Sequence, residues 1–162
     1  METRNPTAII DQSKIGPFHI LFIFWLFLII LFDGYDVVVY GAVVPSLIEE
    51  WGITDLLAGS IGSYTVIGMA IGTILCGILA DKFGRKKVII GTTLLFSLFT
   101  ILSGFAPNEY VFIVFRVIAG LGLGGVMPNV IALTTEYAPR RIRAALSSFV
   151  FCGYSLGARS EG

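Results

Sequence analysis

The stretch "LFDGYDVVVYG", residues 31–41, places two aspartates and a glycine inside a run that is otherwise almost entirely apolar. No polar residue occurs between residues 20 and 32, and the apolar run continues to about residue 44. At about 1.5 Å per residue, this run forms a helix roughly 37 Å long, enough to cross a hydrocarbon core of about 30 Å with some tilt. Asp33 and Asp36 are therefore predicted to lie inside a membrane span.

The composition of the whole chain agrees with a membrane protein. Hydrophobic residues make up 56% of the 162 residues and charged residues only 14%. A water-soluble domain of this size has too little interior to hide that much apolar surface. The net charge is zero and there is no basic tract, so no nucleic-acid partner is predicted. With one histidine and two separate cysteines, we predict no metal site and no cofactor.

Apolar segments recur along the chain and predict an all-α membrane protein, a bundle of transmembrane helices. Four segments are long enough to be full spans, and a cytoplasmic tail of residues 1–17 precedes them. The fifth segment is only about 22 Å long as a helix, so we expect a truncated fifth span. The predicted spans cover about residues 20–44, 57–79, 88–106, 110–134 and 144–158.

The basic residues predict the orientation of these spans. Nine of the eleven lysines and arginines lie before the first span, after the second or after the fourth: Arg4, Lys14, Lys82, Arg85, Lys86, Lys87, Arg140, Arg141 and Arg143. The loops on the opposite side contain acidic residues and no basic residue. By the positive-inside rule, the amino terminus is cytoplasmic, and we predict a multi-pass protein of the cell membrane, such as a bacterial inner membrane.

Glycines recur at four-residue spacing inside two spans, at Gly68 and Gly72 and at Gly120 and Gly124. Such spacing lets neighbouring helices approach closely, and in lipid the helices must associate through packing. The segment "GLGLGG", residues 120–125, also matches the dinucleotide fingerprint G-x-G-x-x-G. That fingerprint needs a strand that ends where a helix begins, whereas this one lies within an apolar run. We therefore predict helix packing and no enzyme.

The segment "GILADKFGRKK", residues 77–87, matches G-x-x-x-D-[RK]-x-G-R-[RK]-[RK] and resembles the loop between helices 2 and 3 of the major facilitator superfamily. Gly84 favours a tight turn, and the basic cluster holds the loop in the cytoplasm. A topology anchor alone would also explain the charges. The resemblance implies a gating loop in which Asp81 and Arg85 latch one helical bundle against the other. The motif residues are Gly77, Asp81, Gly84, Arg85, Lys86 and Lys87.

Two further segments resemble the same superfamily. The segment "FRVIAGLGLGG" places Arg116 before Gly120, like the pattern R-x-x-x-G of the fourth helix. The segment "EYAPRRIRA", residues 136–144, looks like the E-x-x-P-x-x-x-R loop that follows that helix, with Glu136, Pro139 and Arg143 as its motif residues. The resemblance implies twelve helices in two six-helix halves. This chain would supply part of the first half, and the second half would be its natural packing partner.

Within the superfamily, "DGYD" at residues 33–36, together with "ALTTEYAPRR" and "FCGYSLGA", resembles the aromatic acid:proton symporters, which take up benzoate-like carboxylates. The resemblance implies proton-coupled uptake of an aromatic or other organic acid, with the acid, the proton and the lipid bilayer as partners. Sugar porters often carry G-Y-D in the first helix, so a sugar or other small-solute porter stays open. A membrane remnant that does not transport is the other alternative.

The two aspartates need a physical explanation inside the membrane. A lone aspartate at the bilayer centre costs about 2.5–3.5 kcal/mol, so two of them imply protonation, a partner or a wet cavity. Asp33 and Asp36 share a helix face, and their closeness disfavours ionisation of both. Arg116 is the candidate cation, at a similar depth to Asp36, although Asp33 is also open as its partner. We predict that all three couple the proton and the substrate. The structural alternative is that one or both aspartates only cap a break at Gly34 or pair with a cation for stability.

Overall fold

The computed structural model describes residues 17–137 and 143–159, and its described regular structure is helical. The helices, in chain order, are α1 (Pro17–Trp51), α2 (Asp55–Phe83), α3 (Arg85–Ser103), α4 (Glu109–Tyr137) and α5 (Arg143–Gly157). The first four are long and apolar enough to cross a membrane, whereas α5 has 15 residues. The predicted all-α membrane bundle is confirmed. Most of the predicted tail, residues 1–17, lies outside the described residues.

The helices extend beyond the predicted spans. α1 has 35 residues and continues through Pro45 to Trp51. α2 starts at Asp55, because the hydroxyl of Thr54 accepts a hydrogen bond from the Leu57 amide at 3.3 Å and caps the first turn. The apolar pattern marks only the part of a helix that lies in hydrocarbon, and a helix continues into the polar interface without an apolar signal.

A single residue separates α2 from α3. Gly84 has a φ of +91°, which L side chains rarely adopt, and its amide donates to the Ala80 carbonyl at 2.9 Å. The predicted turn at Gly84 is therefore present, but the interpretation of residues 77–87 as a loop was wrong in extent. The flanking residues lie on the last turns of α2 and the first turn of α3, because charged side chains at helix ends are solvated at the membrane surface.

α2 packs along α4 through a glycine seam. A Cβ built at Gly72 would overlap the backbone carbonyl of Leu121, and a Cβ at Gly124 would overlap that of Met69. The two backbones are therefore too close for any side chain between them. This confirms the predicted packing role of the spaced glycines, whose other members are Gly68 and Gly120.

A second glycine seam joins α5 to α1. A Cβ at Gly157 would overlap the Leu31 carbonyl, and a Cβ at Gly34 would overlap the Tyr154 carbonyl. The glycine between the two aspartates is therefore a packing position inside an unbroken helix, not a break that Asp33 or Asp36 caps. The two seams correspond if α1 is matched with α4 and α2 with α5, as expected for three-helix repeats.

Pro128 lies inside α4 and cannot donate to the carbonyl of Gly124, four residues earlier. The hydroxyl of Thr73 on α2 lies 2.9 Å from that carbonyl oxygen and also 2.9 Å from the carbonyl of Met69. A side chain of the neighbouring helix α2 thus donates a hydrogen bond to the carbonyl group that Pro128 cannot satisfy, as apolar surroundings require.

The surface of the bundle is largely apolar. Ile74 and Ile78 of α2 and Leu94 and Leu98 of α3 are each more than half exposed. A surface of this kind is stable in contact with lipid and not with water. Together with the four long apolar helices, it supports a multi-pass membrane protein.

Candidate functional site

An ion pair between α1 and α4 lies in the interior of the bundle. The Nη1 group of Arg116 donates to both carboxylate oxygens of Asp36, each at 2.9 Å. The side chains are only 5% and 6% exposed. Of the two partners that the sequence left open for Arg116, the structure pairs Asp36. Burial of this kind requires each charge to be matched, because an unpaired ion in a low-dielectric setting is very costly.

Groups from three helices surround the ion pair. The hydroxyl of Thr100 on α3 donates to Oδ1 of Asp36 at 3.1 Å. The Arg116 guanidinium carbon lies 4.8 Å from the centroid of the Tyr40 ring and 5.9 Å from that of Phe112. Cation–π contacts of this kind help to hold a desolvated guanidinium. Within the described part of the chain, the Nε of Arg116 has no hydrogen-bond partner.

Sequence reasoning did not assign Thr100, Tyr40 or Phe112 to the site. Tyr40 is fixed at both ends, because its hydroxyl donates to the Ala58 carbonyl of α2 at 2.5 Å while its ring lies against Arg116. The spacing of Thr93, Ser97 and Thr100 is a helical one that could have marked a polar face on α3.

Asp33 lies three residues before Asp36 and is 2% exposed. It continues the buried stripe of α1 that begins with Leu26 and Ile30. Among the described residues, its carboxyl group has no hydrogen bond and no ion pair. The two aspartates therefore have different environments: Asp36 faces a cation and a hydroxyl, whereas Asp33 faces neither.

Two cavities adjoin the ion pair. The small cavity, of about 110 Å³, lies towards the α3–α4 connection and is lined by Val39, Tyr40, Val43, Thr100, Ser103, Gly104, Phe112 and Arg116. The α1–α3 groove, of about 560 Å³, is lined by Trp25, Leu28, Ile29, Phe32, Tyr35, Asp36, Val39, Thr93, Phe96, Ser97, Thr100 and Ile101. Val39 and Thr100 border both cavities.

At the end of the bundle opposite to the α3–α4 connection, the motif of residues 77–87 contacts the motif of residues 136–144. The Nε of Arg85 lies 2.9 Å from Oε1 of Glu136, and the side chains are 34% and 49% exposed. Glu136 belongs to the last turn of α4, so its assignment to the following loop was wrong. An ion pair this exposed contributes at most about 1 kcal/mol, so it positions the turn more than it stabilises the fold. In the described residues, Asp81 has no ion pair.

The other predicted site residues lie apart from the buried pair. Gly77 faces open space, and Lys86 and Lys87 are exposed. Arg143 is the first residue of α5, and Pro139 lies outside the described residues. The segment 120–125 is helical throughout, without the strand that a dinucleotide site requires. Within the described ranges, no three His, Cys, Asp or Glu side chains converge as metal ligands.

The sequence that forms this apolar bundle and its buried charge pair matches a known family. The profile of the Major Facilitator Superfamily matches residues 26–158. This chain belongs to the major facilitator superfamily. The family predicted from the three motifs is thereby confirmed, and its members are transporters, not enzymes.

Several transporters of aromatic acids are similar to this major facilitator chain. The benzoate transport protein of Acinetobacter baylyi is 47% identical over 94% of this chain and 34% of its own length. The gentisate transporter of Corynebacterium glutamicum is 46% identical over 82% of this chain and 30% of its own length. The 4-hydroxybenzoate transporter of Pseudomonas aeruginosa is 35% identical over 100% of this chain and 36% of its own length. The chain thus spans about a third of the length of these relatives.

Proposed function

We propose that this chain forms the first part of a proton-coupled carrier that takes up aromatic carboxylic acids across the cell membrane. The observation that carries the proposal is the buried Asp36–Arg116 pair, with the buried carboxyl group of Asp33 one turn away and without an ion pair in the described part of the chain. The names of the similar transporters, for benzoate, gentisate and 4-hydroxybenzoate, support the substrate class.

The proposed coupling is an exchange of anions at one cation. While Asp36 is ionised, it neutralises Arg116. When a proton neutralises Asp36, the guanidinium needs another anion, and its planar fork suits the two oxygens of a substrate carboxylate. A buried cation without an anion is costly, so proton binding and acid binding favour each other. One proton and one monoanionic acid then cross together without net charge. Asp33 supplies a second carboxyl group for the proton.

The proposed cytoplasmic gate uses the turn between α2 and α3. The Arg85–Glu136 pair holds this turn against the end of α4. Asp81, Lys86 and Lys87 are exposed there and are open to contact with the second half of a complete carrier. Closure of the two halves against each other is the motion that alternating access requires.

The proposed orientation predicts which positions are accessible from outside intact cells. In a variant without the native cysteines, a cysteine at Asn108 should react with a membrane-impermeant thiol reagent added outside. A cysteine at Lys86 should react only after the cells are opened. Both positions are exposed, so the difference reports the side of the membrane. The opposite labelling pattern would contradict a cytoplasmic amino terminus.

Transport itself is best tested by comparing two proteins. The completed carrier is a chimera in which residues 1–158 of this chain are followed by the remaining part of the benzoate transport protein of A. baylyi. In vesicles with an imposed gradient of about one pH unit, it should concentrate labelled 4-hydroxybenzoate about tenfold, since one unit corresponds to about 1.4 kcal/mol per proton. The 162-residue chain alone should not, because alternating access needs two bundles.

Protein-free vesicles are the necessary control, because neutral aromatic acids also cross lipid unaided. Accumulation that does not depend on the proton gradient would contradict the proposed coupling. Uptake of labelled glucose in place of the acid would favour the sugar-porter alternative. Uptake by the purified 162-residue chain would instead require an oligomer in which several copies replace the second half.

A further inference from the structure

We infer that protons reach and leave Asp36 through a water-filled route between α1 and α3, with the hydroxyl of Thr100 as the relay next to the carboxylate. The inference rests on the proposed proton coupling. It adds a path for the proton that is separate from the path of the substrate between the two halves of the carrier.

Thr100 and Val39 border both cavities, and of the two only Thr100 carries a hydroxyl group. Its hydroxyl donates to Asp36, and its side chain borders both the small cavity and the α1–α3 groove. The small cavity lies towards the α3–α4 connection, beside Ser103 and Phe112. The groove continues from Thr100 past Ser97 to Thr93, a distance of roughly 10 Å along α3. The ion pair therefore lies between two spaces that lead towards opposite ends of the bundle.

The hydroxyl groups of α3 differ in their hydrogen-bond partners. Thr92 donates to the Val88 carbonyl at 2.9 Å, and Ser103 donates to the Phe99 carbonyl at 2.8 Å, the usual arrangement in an apolar helix. Thr100 donates instead to Asp36. The enclosed hydroxyl oxygen of Thr93 has no partner in the described part of the chain. A hydroxyl group that is buried without a partner is costly, and a water molecule in the groove would remove that cost.

The small cavity has the same unmet requirement. Arg116 is 4% exposed and lines this cavity, and its Nε–H has no partner among the described residues. A volume of about 110 Å³ is several times the roughly 10–15 Å³ that one water molecule needs. Tyr40, Thr100 and Ser103 line the same cavity. Water there would connect the arginine to the Thr100 hydroxyl.

The groove is mostly apolar, with Trp25, Phe32 and Phe96 among its walls. The three hydroxyl residues that α3 contributes, Thr93, Ser97 and Thr100, repeat at intervals of four and three residues and so lie along one face of that helix. Tyr35 and Asp36 are the polar side chains of the α1 wall. The described lining includes no basic residue, so the groove offers a benzoate-sized anion no countercharge, whereas water beside the hydroxyl groups can pass a proton.

The relay step is balanced in protons and bonds. A hydronium ion in the water file gives a proton to Oγ1 of Thr100 and becomes water. The original hydroxyl proton passes to Oδ1 of Asp36, so that the Thr100 O–H bond is replaced and a carboxyl O–H bond forms. No electron is transferred to an oxidant or from a reductant. Among the described residues around Asp36, the charged or titratable groups are Arg116 on α4 and Asp33, Tyr35 and Tyr40 on α1. The group of α3 that is hydrogen-bonded to Asp36 is the Thr100 hydroxyl.

The test uses two variants of the completed carrier. Thr100→Val keeps the shape of the side chain and removes the hydroxyl, whereas Thr100→Ser keeps the hydroxyl. Each is assayed for proton-driven accumulation of 4-hydroxybenzoate and for exchange of labelled for unlabelled acid without a gradient. We expect Thr100→Val to slow proton-driven uptake about a hundredfold and to slow exchange by a much smaller factor, with recovery of both in Thr100→Ser.

Water in the groove is tested by cysteine labelling in the completed carrier without its other cysteines. A small hydrophilic thiol reagent should react with Ser97→Cys, which lines the groove. It should not react with Leu98→Cys, the neighbouring residue that is exposed on the apolar surface. Equal and negligible reaction at both positions would show a dry groove and overturn the route.

The transport outcomes separate this inference from the proposed function. Native accumulation in Thr100→Val would overturn the relay and leave the role of Asp36 standing. Loss of exchange in both Thr100 variants would mean that the residue is only structural, which also overturns the relay. Failure of the native completed carrier to respond to a proton gradient would overturn the proposed coupling, and the route would fall with it.

Discussion

Asp36→Asn in the completed carrier should abolish the accumulation of 4-hydroxybenzoate under a proton gradient, leaving the internal concentration no higher than in protein-free vesicles. The amide keeps the size and one acceptor oxygen of the carboxylate but cannot take up a proton. The variant should therefore lose the whole concentration ratio that the proton gradient supports, which is about tenfold for one pH unit. The measurement is the ratio of internal to external label at steady state.

A second substitution separates coupling from stability. Asp36→Asn leaves the buried charge of Arg116 without its paired anion, and breaking such a pair costs about 3–5 kcal/mol. The double variant Asp36→Asn with Arg116→Gln removes both charges, so its unfolding temperature in detergent should recover towards that of the native protein, while accumulation stays absent. Accumulation at the native level in Asp36→Asn would contradict the coupling role of this residue.

Asp33→Asn is the matched comparison on the same helix face. Asp33 is equally buried but has no ion pair in the described residues, so its replacement breaks no charge pair. We expect it to abolish accumulation with a smaller loss of thermal stability than Asp36→Asn. If the two variants lose equal stability, the different environments of the aspartates have no energetic consequence.

Gly124→Ala should destabilise the bundle by about 1–3 kcal/mol, the usual cost of an extra group in a packed interior. The new Cβ would overlap the Met69 carbonyl, and it would push α2 away from α4 where Thr73 meets the Gly124 carbonyl. The measurement is the midpoint of denaturation in detergent micelles, followed by the loss of helical circular dichroism.

Gly77→Ala is the control for this prediction. Gly77 also lies on α2, but nothing lies within 4 Å of a Cβ built there. Alanine forms helix better than glycine by about 0.5–1 kcal/mol, so this variant should be as stable as the native chain or slightly more stable. Equal stability of Gly124→Ala and Gly77→Ala would mean that close contact of α2 and α4 is not required for folding.

Much of the fold could be predicted from local sequence. The lengths of the apolar runs predicted five helices, and the spacing of Gly120 and Gly124 predicted a packing face. The helix ends were less predictable: α1 continues to Trp51, well past the apolar run. Hydropathy reports contact with lipid, and a helix does not have to stop where that contact stops.

The charged residues of the candidate site could be predicted from the sequence, but which of them pair with each other could not. The sequence placed Asp33, Asp36 and Arg116 inside the membrane, and their rarity there marked them. It left open which aspartate meets Arg116, since depth counted along a helix carries an error of several ångströms. It also gave no reason to join Arg85 to Glu136, which are 51 positions apart in the chain and meet only through the packing of α3 and α4.

The sequence by itself determined that this chain is a bundle of membrane helices, because apolar length and the low charge content leave no other way to keep so much surface out of water. It also determined which family the chain resembles, through short motifs whose spacing can be read directly. Only the tertiary structure decided that Asp36 binds Arg116, that Thr100 completes the contact and that Asp33 meets no cation among the described residues. Such contacts depend on the rotation of each helix about its axis, and that rotation is fixed by glycine seams between helices distant in sequence.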